Sequence, residues 1–298
     1  MNGSMQVSVK EEGLQAQKTA ERDLEIGRQI QASFLPEELP QAPGWEIASR
    51  FEAARLVAGD FYDAFPLSGG KRIGLLIGDV TDKGVGAALF MALFRSLIRA
   101  FADQHYSLGW MDVLNSDRSI AGRSDSVGRR RELLSTGAPA LKNAIDLTNN
   151  YIARNHGKTN MFATIFFGLL DPANGGMIYI NGGHEPPLLI GDGEIKAVLN
   201  PTGPAVGLLP DLNFTIEQID LGPGDTLFAY TDGVVDARSL AGEPFGEERL
   251  TALIKEPAAT AASLLDRIYG SLKAHIAEAD PFDDITMLAV RRDAEPSD

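Results

Sequence analysis

Four aspartates constrain how this chain can fold, because each stands at the end of a short apolar run and they lie far apart in the sequence. Asp60, Asp79, Asp232 and Asp283 occur in the segments Gly-Asp-Phe-Tyr-Asp, Ile-Gly-Asp-Val-Thr-Asp-Lys-Gly, Tyr-Thr-Asp-Gly and Asp-Asp-Ile-Thr-Met. Hard divalent cations take oxygen ligands, and carboxylates from distant positions can assemble such a site. A shared site requires strand ends from both halves of the chain to converge at one edge, which favours one domain over two.

Composition narrows the class of protein further. The chain has 298 residues, 44% of them hydrophobic, and a net charge of −14, which disfavours nucleic acid or an anionic membrane as a partner. It has no cysteine, so disulfides, thiolate metal sites and a cysteine nucleophile are excluded. The longest uninterrupted apolar run, Val85–Phe94, is too short to span a membrane, and no secretory signal is visible. We therefore expect a soluble, cytoplasmic protein with no nucleic-acid or membrane partner.

Periodicity and turn residues predict antiparallel strands mixed with a few helices. The runs around the turn 171–176 and around Gly191-Asp192-Gly193 are typical of hairpins. Predicted strands are Trp45–Phe51, Arg72–Ile77, Phe162–Leu170, Met177–Ile180, Phe214–Asp220, Thr226–Tyr230 and Ile285–Val290; predicted helices are Gly84–Ala102, Leu141–Asn155, Glu247–Lys255 and Ala259–Ala277. The first of these helices is apolar almost all round, so we expect it to be sandwiched against a sheet. The predicted class is α+β, with sheets covered by helices.

The ends and one internal segment are predicted separately from the domain, which spans 38–292. Residues 1–14 are expected to be a disordered linker or cloning remnant, and 293–298 a tail. Residues 15–37 are predicted to form a helix, which either covers the domain's own core or acts as a linker that transmits signals or dimerises. Residues 107–137 carry five arginines and few apolar residues. This pattern predicts a mobile surface segment, either a solvated excursion or a flap whose arginines meet a phosphorylated or acidic partner.

Five motifs, in order, resemble the bacterial PP2C-type serine/threonine phosphatases of the SpoIIE and RsbU kind. They are Gly-Asp-Phe-Tyr-Asp (59–63), Gly-Asp-Val-Thr-Asp-Lys-Gly-Val-Gly-Ala-Ala-Leu-Phe-Met-Ala (78–92), Asn-Gly-Gly-His-Glu-Pro-Pro (181–187), Leu-Phe-Ala-Tyr-Thr-Asp-Gly-Val-Val-Asp-Ala (227–237) and Asp-Asp-Ile-Thr-Met-Leu-Ala-Val (283–290). The likeness runs from about Leu24 to Arg291. Chance similarity in five ordered motifs is improbable.

The resemblance implies a four-layer αββα sandwich of two antiparallel sheets flanked by helices, with two Mn²⁺ or Mg²⁺ ions at one edge. It implies that Asp79 bridges both ions, and that Asp60 and the Val80 carbonyl serve one of them. The other ion is then held by Asp232 and Asp283, with Asp284 as a further candidate. Asp60 and Asp79 are the implied catalytic candidates. In the implied reaction, a metal-activated water attacks phosphorus directly.

The proton donor to the leaving group stays open. Many eukaryotic relatives have a histidine after the metal-binding aspartate, and the segment 79–83 of this chain has none. His184 is one candidate for proton donation, or it orders its loop through a hydrogen bond. Lys83 is a candidate contact to the substrate phosphate, or a solvated surface lysine.

The implied function is that of a protein serine/threonine phosphatase in a bacterial partner-switching pathway. Its expected substrate is a phosphorylated STAS-type anti-anti-sigma protein. The resemblance also implies an upstream sensor or receiver domain, and a homodimer formed through the N-terminal helix. The alternative is a phosphatase-like adaptor that has lost turnover. A carboxylate-pair glycosidase is disfavoured because its cleft would be rich in aromatics and the chain has only two tryptophans.

Overall fold

The computed structural model describes residue 15, residues 18 and 19, and residues 22–115 and 137–294. The predictions for residues 1–14, for the arginine-rich stretch 116–136 and for residues 295–298 lie outside the described residues.

Ten strands and six helices make up the described fold. Helix α1 covers residues 22–34. The strands are β1 (Trp45–Glu52), β2 (Phe61–Leu67), β3 (Arg72–Val80), β4 (Ala163–Leu170), β5 (Gly176–Gly182), β6 (Leu188–Gly191), β7 (Glu194–Val198), β8 (Glu217–Asp220), β9 (Thr226–Tyr230) and β10 (Ile285–Arg292). The other helices are α2 (Val85–Asn115), α3 (Ala138–His156), α4 (Gly233–Asp236), α5 (Glu247–Lys255) and α6 (Ala261–Ile276).

The strands form two antiparallel five-stranded sheets, which confirms the predicted αββα sandwich. One sheet has the order β2-β3-β4-β5-β8 and the other has the order β1-β10-β9-β6-β7. The apolar residues between the sheets, including Leu75, Phe166 and Leu288, form one core cluster. Helices α2 and α3 bury Met91, Phe94 and other residues on the outer face of the first sheet. Helices α5 and α6 cover the second sheet with residues that include Leu250, Leu264, Leu265, Ile268 and Leu272.

Helix α2 extends past its predicted end at Ala102, and residues 107–115, which were predicted to be mobile, continue it to Asn115. The stretch 103–115 contains no proline, and it regains apolar residues at Trp110, Met111, Val113 and Leu114. The prediction that this helix ends at Ala102 was therefore wrong.

Within α2, the segment Val85–Gln104 has the length and mean hydropathy (1.6) of a membrane span. The uninterrupted apolar run is shorter, because Arg95 and Arg99 break it. Both arginines pair with the buried Asp63 of β2, at 2.9 and 3.0 Å. The segment packs on β2 and β3 through Ala87, Met91 and Ile98 as part of the core.

Strand β8 begins later than predicted. Phe214 was expected to open it, but the strand starts at Glu217. Phe214 is instead buried in a loop, where it packs beneath α2 and α3. An apolar residue in a loop satisfies the same burial pattern as a strand residue, so the two are not distinguished by periodicity.

Candidate metal centre

The hairpin of β2 and β3 places Asp60 next to Asp79. Phe61 pairs with Gly78 at the end of the ladder, so the next positions outward are Asp60 and Asp79. The Phe61 ring fills the space above Gly78, where a Cβ atom would lie 2.8 Å from the ring. This ring-over-glycine packing fixes the register that brings the two carboxylates together.

Asp232 and Asp283 reach the same edge from the second sheet. Asp232 follows β9 and begins α4, and Asp283 and Asp284 directly precede β10. The two segments approach closely at Gly233, where a Cβ atom would lie only 1.8 Å from the backbone oxygen of Asp284. Only glycine permits this contact without a backbone shift.

Two threonines of the second sheet hold Asp60 of the first. Thr231 donates to Asp60 Oδ2 at 2.7 Å, and Thr286 donates to the same oxygen at 2.6 Å. These hydrogen bonds cross the space between the sheets. They leave Asp60 buried, with its other carboxylate oxygen free of them.

The loop before β2 is held from two sides. Asp284 accepts hydrogen bonds from the backbone N–H groups of Ala54 and Gly59, at 2.7 and 2.8 Å. From helix α1, the buried Gln31 donates to the Ala58 carbonyl at 2.6 Å and accepts from the Ala58 N–H at 3.0 Å. The backbone leading into Asp60 is thereby tied to both β10 and α1.

Burial and mutual repulsion raise the pKa values of these carboxylates. Burial, followed by the charges of Asp232, Asp283 and Asp284, raises the pKa of Asp79 to about 7. Burial also raises the pKa of Asp60 well above its ordinary value, with the charges of Asp79 and Asp284 adding to the shift. The pKa values of Asp232 and Asp284 rise mainly through burial. Such a cluster of interacting acids gains stability from any cation that neutralises it.

The donor set fits a hard divalent cation, because every candidate ligand is an oxygen. The Val80 carbonyl belongs to this set: a Cβ atom at Gly59 would lie 2.8 Å from that carbonyl oxygen and 3.4 Å from Asp79 Oδ1. The open space at Gly59 therefore borders both oxygens. Within the described residues, no group of three or more acidic or histidine side chains has the geometry of a formed metal site.

Lys83 supplies a positive charge at the second-sheet side of the cluster. Its Nζ lies 2.8 Å from Asp283 Oδ2 and donates to the Phe282 carbonyl at 2.9 Å. The loop that carries it turns through Asp82, whose φ is 76°, and Gly84, whose φ is 86°. Lys83 thus neutralises a candidate metal ligand and is not a free surface lysine.

His184 lies in the protein interior. It is 2% exposed, and its Nδ1 lies 3.0 Å from Thr164 Oγ1. Asn181 fixes the same loop by accepting from the His184 N–H and donating to the His184 carbonyl. Burial lowers the pKa of His184 to about 4, and a weak interaction of the ring with the Tyr230 backbone only partly offsets the shift. These contacts favour the loop-ordering interpretation over proton donation.

Several residues that build this site were not singled out from the sequence. Thr231 and Thr286 each lie within two residues of an aspartate in their motifs, and that adjacency was the available signal. Gly233 and Gln31 act through close approach and hydrogen bonding to distant backbone. Such long-range contacts leave no local pattern.

The sequence profile of the family described as Stage II sporulation protein E (SpoIIE) matches residues 69–293, well over half of the chain. The chain belongs to the SpoIIE family. Its matched region contains the PP2C-type phosphatase motifs from Asp79 to Asp284, and the two-sheet architecture is that of the PP2C fold.

Two curated relatives extend this SpoIIE-family assignment. Protein IcfG of Synechocystis is 45% identical over 270 residues, which cover 91% of this chain and 41% of IcfG. Phosphoserine phosphatase RsbP of Bacillus subtilis is 25% identical over 253 residues, which cover 85% of this chain and 53% of RsbP. The chain therefore spans only about half, or less, of these relatives.

Solved structures share the fold of this SpoIIE-family chain. The SiaA-PP2C domain of Pseudomonas aeruginosa superposes with a TM-score of 0.66 at 19% identity, covering 93% of this chain and 99% of that domain. The catalytic domain of the serine/threonine protein phosphatase PstP, in complex with two manganese ions, gives a TM-score of 0.51 at 14% identity, covering 83% of this chain and 97% of that domain.

Proposed function

We propose that this chain is a metal-dependent protein phosphatase that hydrolyses phosphoserine or phosphothreonine on a regulatory protein. The observation that carries the proposal is the convergence of Asp60, Asp79, Asp232, Asp283 and Asp284 from two sheets at one edge, within a SpoIIE-family domain. An adaptor without turnover would be expected to have lost ligands, and all the expected carboxylates are present.

Two Mn²⁺ or Mg²⁺ ions fit this donor set, by analogy with the manganese complex of PstP. Asp79 is the proposed bridging ligand, with Asp60 and the Val80 carbonyl on one side and Asp232 and Asp283 on the other. When bound, such ions lower the pKa of a coordinated water and offset charge on the phosphoryl group. Thr231 and Thr286 orient Asp60 and partly offset the rise in its pKa, because hydrogen bonds donated to Oδ2 favour the charged form. Asp284 acts as a positioning residue through Ala54 and Gly59.

We propose a phosphorylated STAS-type protein as the substrate. The support is the similarity to the phosphoserine phosphatase RsbP, together with the five motifs. The cytoplasmic location stays a prediction.

Helix α1 is the proposed connection to an upstream sensor or receiver domain and to a second copy of the chain. Ile26 and Ile30 are 45% and 56% exposed, so an apolar stripe faces away from the domain. A different face of the helix carries the buried Gln31, which holds Ala58 near Asp60. A homodimer formed through the exposed stripe would connect a second copy of the chain to the helix that holds Ala58 near the metal centre.

The test is phosphate release from a serine-phosphorylated STAS protein, with Mn²⁺ and with a chelator. We expect metal-dependent release by the wild type and none by Asp232→Asn. Asp236→Asn is the matched control, because it makes the same chemical change four residues away at the exposed end of α4. Equal release by the wild type and a folded Asp232→Asn protein would refute the assignment. No release from folded, metal-supplied wild type would favour the adaptor.

A further inference from the structure

An exposed arginine stands beside the candidate metal centre, stacked on an aromatic ring. The Arg238 guanidinium lies 3.9 Å from the centroid of the Phe282 ring. Phe282 directly precedes Asp283, and the Lys83 ammonium lies 5.5 Å from the same ring. The ring is therefore bracketed by two cations at the edge where the carboxylates converge.

The position of Arg238 is fixed by backbone hydrogen bonds across a short turn, residues 237–245. The Phe245 N–H donates to the Ala237 carbonyl at 2.8 Å, and the Ser239 N–H donates to the Glu243 carbonyl at 2.9 Å, so backbone hydrogen bonds flank Arg238 on both sides. The turn follows α4, whose N-cap residue is Asp232. Both residues of the Arg238–Phe282 contact are therefore close in sequence to candidate metal ligands, Arg238 to Asp232 and Phe282 to Asp283.

Arg238 forms no ion pair with any residue in the described part of the chain, whereas Lys83 is paired with Asp283. Stacking on a ring uses the face of a guanidinium and leaves its N–H edge available for a carboxylate or phosphate. An exposed cation that forms no ion pair within the described residues, and that is stacked on the residue preceding Asp283, is poorly explained as a contribution to the fold alone.

An open cleft lies on the same side of the site. The cleft is small, with a volume of about 60 Å³, and is lined by Ala237, Phe282 and Asp283 among mostly apolar residues. Phe282 itself is 40% exposed. The Phe282 ring thus borders the cleft, and the Arg238 guanidinium lies against the same ring.

We propose that Arg238, held on Phe282, is a specificity-determining residue that binds an acidic side chain of the substrate polypeptide next to the phosphoserine. This inference rests on the proposed phosphatase function. It assigns the phosphate to the metal centre and the neighbouring carboxylate to Arg238. The substrate class is therefore a phosphoserine segment flanked by aspartate or glutamate.

Two fluorescein-labelled peptides test the proposal by anisotropy with Mn²⁺ present. Both carry a non-hydrolysable phosphonate in place of the phosphoserine ester, and they differ only in having aspartate or asparagine beside it. For the wild type we expect the aspartate peptide to bind roughly tenfold more tightly, as for one hydrogen-bonded charge pair. Arg238→Gln should make the two affinities equal, and Arg238→Lys should give an intermediate preference because it keeps the charge without the fork. Arg154→Gln removes an arginine on α3 and should leave the preference intact.

A preference that survives in Arg238→Gln, or is absent in the wild type, overturns the inference. Hydrolysis of p-nitrophenyl phosphate by the wild type, with and without Mn²⁺, judges the proposed function separately. An Arg238-dependent preference without such hydrolysis would retain the docking role and reject the phosphatase.

Discussion

The metal-free domain should become less stable as the pH rises through the range in which Asp79 ionises. In the unfolded chain this carboxyl loses its proton near its ordinary pKa of 3.8, whereas in the fold it keeps the proton until about pH 7. Between these values the folded state binds the extra proton, so raising the pH favours unfolding. The stabilising contribution is complete below the unfolded pKa and is lost as the pH passes the folded one.

The shift sets the size of the effect. A difference of about 3 pKa units corresponds to roughly 4 kcal/mol over the whole window, of which roughly 2 to 3 kcal/mol falls between about pH 5 and about pH 8. Asp60, Asp232 and Asp284 have pKa values raised in the same direction and add to the slope. Metal binding should reverse this pH dependence, so that stability rises with pH, because the ionised carboxylates are the ligands.

Urea unfolding in chelator, followed by tryptophan fluorescence at about pH 5 and about pH 8, measures this slope. Asp79→Asn removes the titrating group, so between these two pH values its free energy of unfolding should fall by roughly 2 to 3 kcal/mol less than that of the wild type. Asp103→Asn, on the exposed surface of α2, is the control and should follow the wild type. Identical pH slopes for the wild type and Asp79→Asn would refute the electrostatic account of the site.

Three further predictions concern the surroundings of the carboxylates. Gly233→Ala should abolish Mn²⁺ binding in isothermal titration calorimetry, because its Cβ would lie 1.8 Å from the Asp284 oxygen and force the segments apart; binding at wild-type affinity would show that the backbone gives way without cost. Thr286→Val should cost about 1–2 kcal/mol in urea unfolding and weaken Mn²⁺ binding, because Asp60 loses a 2.6 Å hydrogen bond. An unchanged midpoint and affinity would contradict that role. Lys83→Met should tighten Mn²⁺ binding several-fold, because the lysine competes for Asp283 at 2.8 Å; weaker binding would show instead that Lys83 preorganises the site.

The sequence predicted the fold to the extent that local patterns carry it. The turn at Gly191-Asp192-Gly193 is a hairpin between β6 and β7, with Asp192 and Gly193 both at positive φ as its residues predict. The αββα layering came from the resemblance, and the burial of β3, β5 and β9 on both faces supports it. The extent of α2 and the start of β8 were wrong, because those boundaries depend on packing against other elements.

The candidate site divides in the same way. Aspartates at strand ends are visible in the sequence, since each sits in a short motif beside glycine or threonine. What holds them is not visible: Thr231 and Thr286 reach Asp60 across more than 170 residues of chain. The burial of His184 was also hidden, because a histidine in a glycine-rich loop reads as exposed until its partners Thr164 and Asn181 are located.

Because the acidic cluster is divided between the two sheets, metal binding depends on how the sheets are positioned relative to each other. Asp60 and Asp79 belong to one sheet, while Asp232 and Asp283 belong to the other. An ion bound by carboxylates of both pairs would link the two sheets. Any shift of one sheet relative to the other would separate the two groups of carboxylates before either sheet unfolded. Catalytic competence would therefore be the first property to disappear under mechanical or thermal stress, and the last to return on refolding.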